Sequence, residues 1–297
     1  MSSPDPALAS ASSVASRDVW RRFVGPVARG TLALGLAVVV GEAVVWTLVL
    51  SDLAPLWAGS LAATVLAYLA FTVMHEASHG NIHGETRSLR VPAEALGWLA
   101  GITLFAPFSA FRVLHLRHHS FTNHPEKDPD HWVKGDHALS VLLRCMGSVP
   151  RYLWDFLAGP SSRTEQARAV RLSASLALVA MAGMVVASIP LGLFTTVLAL
   201  WVGPAIAAST LLALAFDWLP HAPHVERRRF RDTRVFLGPG LTTLLLGQNL
   251  HLIHHLYPRV PFYRYRDVFD ATRPEIEREG TEILELGSAK RAVPTQS

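Results

Sequence analysis

Residues 55–79 read PLWAGSLAATVLAYLAFTVMHEASH. No charged side chain appears until Glu76, and the apolar part is about twenty residues long, the length a helix needs to cross a bilayer core. Two histidines, His75 and His79, close the run. In a helix they lie one turn apart on one face, and His83 extends the row by another turn. Neutral imidazole is the commonest protein ligand for transition metals. An apolar span that ends in a row of imidazoles therefore points to metal chemistry at a membrane.

The rest of the chain supports the membrane reading. Half of the 297 residues are hydrophobic and only 17% are charged, against roughly 25% in ordinary soluble domains. A second long apolar run covers 30–51. A third, 173–218, is too long for one pass and is expected to turn near Ser188-Ile189-Pro190. Weaker stretches at 93–111 and 235–250 carry Gly and Pro and are expected to be re-entrant or interfacial. The expected fold is an all-α integral membrane protein. Four transmembrane helices form two hairpins, and a cytoplasmic helical cap carries the histidines. Residues 1–16, rich in Ser, Ala and Pro, are expected to be a disordered tail rather than a signal peptide. Residues 17–275 then form one membrane domain, and 276–297 a C-terminal tail.

Charge placement orients the spans. The net charge is +4, and all 27 Lys and Arg residues fall within 1–30, 75–172 and 219–297. None lies in the two expected outer turns, 51–55 and 187–194. The positive-inside rule puts both termini and the histidine clusters on the cytoplasmic side of the cytoplasmic membrane. The basicity is thus a topology signal, and a nucleic-acid partner is not expected. Arg227-Arg228-Arg229 with Arg231 form a cationic patch. Such a patch suits lipid headgroups or an acidic partner. The one cysteine, Cys145, rules out a Cys-ligated iron–sulfur cluster, a multi-thiolate zinc site and an intramolecular disulfide.

Three further clusters join His75-Glu76-Ala77-Ser78-His79. They are His115-Leu116-Arg117-His118-His119, the pair His221 and His224, and His251-Leu252-Ile253-His254-His255. In H-x-x-H-H the first histidine is i, i+3 and i, i+4 to the others. The three share a helix face but splay, so one motif can serve two metals a few Å apart. The candidate ligands are His75, His79, His83, His115, His118, His119, His221, His251, His254 and His255. That number suits two metals with open positions rather than one closed tetrahedral site. Asp217, four before His221, is a candidate ligand, water holder or orienting carboxylate. Glu76, Glu126, Asp128, Asp130 and Asn249 are further candidates to orient ligands. His124, His131 and His137 read as surface residues, and His224 is left open. Phe105, Phe108, Phe111 and Trp218 fit either a substrate channel or ordinary helix packing.

Other classes compete. His75-Glu76-Ala77-Ser78-His79 also satisfies H-E-x-x-H, the zinc-protease motif with Glu as general base. A protease needs only one more ligand and leaves both H-x-x-H-H clusters without a role. A metal transporter needs polar residues across the spans, which carry almost none besides Glu42.

The histidine pattern resembles the membrane fatty-acid desaturase and hydroxylase superfamily. Residues 115–132, HLRHHSFTNHPEKDPDHW, 216–223, FDWLPHAP, and 247–265, GQNLHLIHHLYPRVPFYRY, look like its β-carotene hydroxylase branch of cyanobacterial type. Glu76 replaces the Asp of that branch, and His224 stands where it has an apolar residue. The resemblance implies a non-haem di-iron centre that uses O2. Electrons are expected from ferredoxin or a similar carrier, because the chain has no Rossmann glycines, haem motif or iron–sulfur cysteines. The implied reaction is C3 hydroxylation of the β-ionone ring of β-carotene towards zeaxanthin. The alternative is desaturation or hydroxylation of an acyl lipid.

Overall fold

The computed structural model describes residues 19–287. The expected tail 1–16 lies outside them. Four helices are long and apolar enough to cross a membrane: α1 (Arg29–Leu50), α2 (Leu56–Ser78), α7 (Glu165–Ala187) and α8 (Phe194–His221). They match the runs expected from sequence, and the turn between α7 and α8 contains Ser188 and Pro190. Exposed Leu36, Val40, Leu61, Leu172 and Val179 cover their outer faces, as lipid contact requires.

α2 is the central span. Gly59, Ala63, Ala67 and Ala70 make a buried stripe of small side chains along it. Small residues let helix backbones approach closely where lipid gives no hydrophobic drive to pair. α2 packs against α1, α8 and α3 (Arg90–Thr103). The resulting core includes Val73, Met74, Leu96, Leu212 and Phe216.

α3 and α4 (Phe108–Phe121) occupy the weaker stretch at 93–111. They meet at a bend of 95°. Phe105 at this bend packs against Trp201 in a tilted contact, with ring centroids 5.0 Å apart. Trp201 Nε1 donates to the Ile102 carbonyl at 2.6 Å. α5 (Ala138–Met146) and α6 (Ser148–Leu157) follow, and both are short. α5 packs on the lower half of α8, and α6 packs on α4.

The C-terminal part departs from an all-α fold. Val235–Leu237 (β1) pairs in parallel with Ile283–Glu285 (β2), with Phe236 opposite Leu284. The stretch 235–250 thus begins with a strand, followed by one short helical turn, Leu241–Leu244. Helix α9 (His251–Leu256) and helix α10 (Tyr265–Arg278) complete this part. The expected boundary at 275 falls inside α10, where Ile276 is fully buried. Ile276 shares a core with Val235, Leu252 and Phe269. The segment expected as a tail is therefore packed into the domain as far as β2, because its apolar side chains complete that core.

Candidate metal centre

Nine of the ten histidines expected as ligands converge. His75, His79, His115, His119 and His254 each offer one ring nitrogen, all within 4.8 Å of one another. His118, His221, His251 and His255 form a second group on the same criterion. The first group draws on α2, α4 and α9, and on His79 at the C-terminal cap of α2. The second draws on α4, α8 and α9.

Helix geometry explains the division. Side chains at i and i+4 stack nearly one above the other, while i+3 lies to the other side of the row. His115 and His119 accordingly join one group and His118 the other. In α9, His251 and His255 stay together and His254 crosses over. Each H-x-x-H-H motif thus feeds both groups.

The ring nitrogens face one another closely. Nε2 of His79 is 2.7 Å from that of His115, and His254 is 2.9 Å from His75 and 2.7 Å from His119. In the second group His255 lies 3.1 Å from His251 and 3.3 Å from His118. With metal–nitrogen bonds of about 2.0–2.1 Å, ligands at right angles sit roughly 3 Å apart. The observed edges match that spacing.

The outer nitrogens show which atoms face inward. His221 Nδ1 donates to the Asp232 carbonyl at 3.2 Å, and His251 Nδ1 to Gln248 Oε1 at 2.7 Å. His118 Nδ1 donates to Asp128 at 2.8 Å, with Asp130 at 3.3 Å. His254 Nδ1 meets the Tyr265 hydroxyl at 3.0 Å. An imidazole that donates through Nδ1 presents a bare lone pair at Nε2. His221 Nε2 is buried and has no hydrogen-bond partner. Lone pairs that converge without donors fit a cation, and nitrogen donors suit transition metals.

Electrostatics agree. Burial pulls His79 and His251 down to about 3, so both stay neutral and able to ligate. His118 is the exception. Burial lowers it, but Asp128 and Asp130 outweigh that and lift it to about 10. A metal held by His118 would supply the positive charge that these carboxylates favour.

Several expected residues have other places. Gly80 ends α2 in a left-handed conformation, φ +72, so the helical row stops before His83. His83 is in neither group. The Glu76 carboxylate accepts from Thr31 Oγ1 at 3.2 Å and Asn81 Nδ2 at 3.1 Å. It joins α1 to the loop after α2 and belongs to neither group. Asp217 sits in a π-wound turn, Ala213–Trp218, and belongs to neither group. It accepts from the Tyr152 hydroxyl at 3.0 Å, and Asp130 lies 2.9 Å from the same hydroxyl. Asn249 bonds the Phe236 carbonyl at 2.8 Å and thereby fixes β1. His124 and His137 organise a turn and the start of α5. His131 is half-buried, with its ring 6.1 Å from that of His224. His224 is buried beside His221 but in neither group, and burial lowers it to about 4.

A mostly apolar pocket opens against both groups. Phe71, Ala110, Phe111, Leu114, Leu153 and Phe216 line it. His75, His115, His118 and His251 form its metal-facing end, and Asp130, Tyr152, Asp217 and Gln248 add its other polar groups. Of the aromatics singled out in the sequence, Phe111 lines this pocket. Phe108 packs in the core against Trp98, and Trp218 packs beside Val133 and Cys145. Four further residues were not singled out by the sequence. Tyr265 and Gln248 sit near the third motif in the chain, Asp232 offers only its backbone, and Tyr152 lies on a helix with no histidine.

The family model for fatty acid desaturase matches residues 51–287. The chain belongs to the fatty acid desaturase family. A comparison with curated proteins returned no match. The family is one of non-haem di-iron oxidoreductases, and this desaturase-family chain is an enzyme of that class. The match spans α2 to β2, so it includes every histidine of both groups.

Proposed function

We propose that the chain is a membrane di-iron oxygenase that hydroxylates a lipid-soluble substrate, with the β-ionone ring of β-carotene as that substrate and C3 as the carbon oxidised. The two groups of inward-facing histidine nitrogens beside one apolar pocket carry the reading. His75, His79, His115, His119 and His254 would hold one iron, and His118, His221, His251 and His255 the other. Iron bound there would supply O2 activation and oxidation of an unactivated C–H bond.

The chain's own residues do the rest. Asp128, Gln248 and the Asp232 carbonyl fix three imidazole orientations. Phe71, Phe111 and Phe216 exclude water and hold an apolar ring against the histidine end. Tyr152 keeps its hydroxyl between Asp130 and Asp217. Orientation follows from the basic residues, which place the histidine end on the cytoplasmic side. α3 and α4 then form a re-entrant pair, because Arg90 and the α4 histidines both belong to that end. The cap consists of α5, α6, α9 and α10. Electrons come from ferredoxin or a similar carrier at this cytoplasmic face. The strings at 216–223 and 247–265 favour the carotenoid. The family match favours the second reading, an acyl-lipid desaturase or hydroxylase.

Expression in bacteria that accumulate β-carotene, with a ferredoxin reducing system, tests this. Mono- and dihydroxylated β-carotene, absent with His118→Ala, is the expected result. Unchanged pigment from folded, iron-loaded protein would overturn the carotenoid assignment, and altered fatty acids in the same extract would support the acyl reading.

A further inference from the structure

α5 is apolar on both faces. Val141 and Cys145 are buried on one side. On the other, Leu139, Leu142, Leu143 and Met146 are 60%, 40%, 58% and 51% exposed. Their spacing, i, i+3, i+4, i+7, makes one continuous stripe. α6 repeats the arrangement. Val149, Tyr152 and Leu153 line the pocket, whereas Trp154 and Leu157 on other faces are exposed. Neither helix is long enough to span a bilayer.

Two more observations say what covers this surface. Arg144 stacks over Trp132, and Arg151 lies over both Trp132 and Trp154 with its guanidinium carbon 4.4 Å from the Trp154 ring centroid. Trp paired with Arg is the chemistry of the headgroup layer, where an apolar body and a charged tip are both satisfied. α5 also packs directly on α8, a spanning helix, which brings its apolar stripe to the edge of the apolar layer. The pocket lining also includes Ala106 and Pro107 at the α3–α4 bend. That bend is held by Trp201, seven residues into α8 from its far end. The pocket therefore reaches from the histidines towards the middle of the apolar layer.

We propose that α5 and α6 lie in the membrane–water interface, and that α6 is the side wall of a portal through which a lipid-soluble substrate enters the pocket from the bilayer. The outer stripe rests in lipid and the inner face of α6 guides an apolar molecule towards the α3–α4 bend. The portal half rests on the proposed lipid oxidation, while the placement of the two helices does not.

The test uses the full chain in phosphatidylcholine vesicles. Cys145, the one cysteine, is fully buried, so a small fluorophore can be placed on introduced cysteines. The sites are Leu139→Cys, Leu142→Cys, Leu143→Cys and Met146→Cys on the stripe, Asp136→Cys in the preceding loop, and Val149→Cys and Leu153→Cys on the pocket wall. Brominated lipid should cause loss of fluorescence at the stripe and the wall but not at Asp136→Cys, and iodide should do the reverse. Iodide quenching along the stripe would overturn the interfacial placement. Protection from both quenchers there would also overturn it, by showing a second copy or another protein on the stripe. A lipid-quenched stripe with an iodide-quenched wall would overturn the portal. The readout needs no turnover, so an inactive enzyme with the expected pattern would count against the proposed reaction alone.

Discussion

Asp128 joins the four-histidine group to its surroundings, and its removal should be felt first in metal binding. One oxygen accepts from His118 Nδ1 at 2.8 Å and from the Asp130 amide at 2.9 Å. The other accepts from the Asn123 amide at 2.7 Å. The side chain is 1% exposed, so water does not replace these bonds. A hydrogen bond to a charged group contributes about 1.5–3 kcal/mol. Asp128→Ala leaves the Asn123 and Asp130 amides unpaired, leaves His118 only Asp130 at 3.3 Å, and should cost about 3 kcal/mol or more in folding. Asp128→Asn keeps the shape and an oxygen for His118 but turns an amide donor towards the Asn123 amide. Loss of such an orienting carboxylate typically lowers metal affinity about 10–100-fold, or roughly 1.4–2.7 kcal/mol. The assay is retained iron during chelator titration of detergent-solubilised protein, with a thermal melt to confirm folding. The group containing His118 should empty at lower chelator concentration and the five-histidine group should hold. An unchanged titration for folded Asp128→Asn would refute the argument that this carboxylate fixes a ligand.

Three other outcomes follow from particular contacts. Tyr265→Phe removes the partner of His254 Nδ1 and should lower affinity at the five-histidine group by about tenfold, while a stability loss of about 0.5–1.5 kcal/mol appears in the melt. His79 and His251, held at about 3 by burial, take up protons on unfolding below about pH 6.5. The unfolded chain then binds more protons between pH 3 and 6.5, so stability is fully present above that window and is lost as pH falls through it, by about 1.4 kcal/mol per unit for each histidine; a metal-free melting temperature that is flat across the window would contradict this. Gly97 faces the Phe108 ring and Ala77 so closely that an added Cβ must displace one of them, and Gly97→Ala should cost about 1–3 kcal/mol, read from the same melt.

The spans, the H-x-x-H-H motifs and all nine converging histidines were legible in the chain because each depends on local periodicity. A run of about twenty apolar residues has one stable outcome in a bilayer. Imidazoles at i, i+3 and i+4 share a helix face whatever surrounds them. His83 falls outside both groups because the helix stops at Gly80, and Asp217 lines the pocket without joining either group. The parallel pairing of β1 with β2 joins residues almost fifty apart in sequence, so no local pattern announces it. Tyr265 and the Asp232 carbonyl, each eleven residues from its histidine, reach it only after the C-terminal part has packed.

The sequence by itself determined that this is a membrane chain and which imidazoles are candidates to ligate. Only the tertiary structure decided how they divide into five and four, which polar atom holds each ring, and where an apolar pocket meets them. The physical reason is range. Helical periodicity and hydropathy are fixed by neighbours within a turn or two, whereas each histidine group forms only where helices far apart in the chain meet.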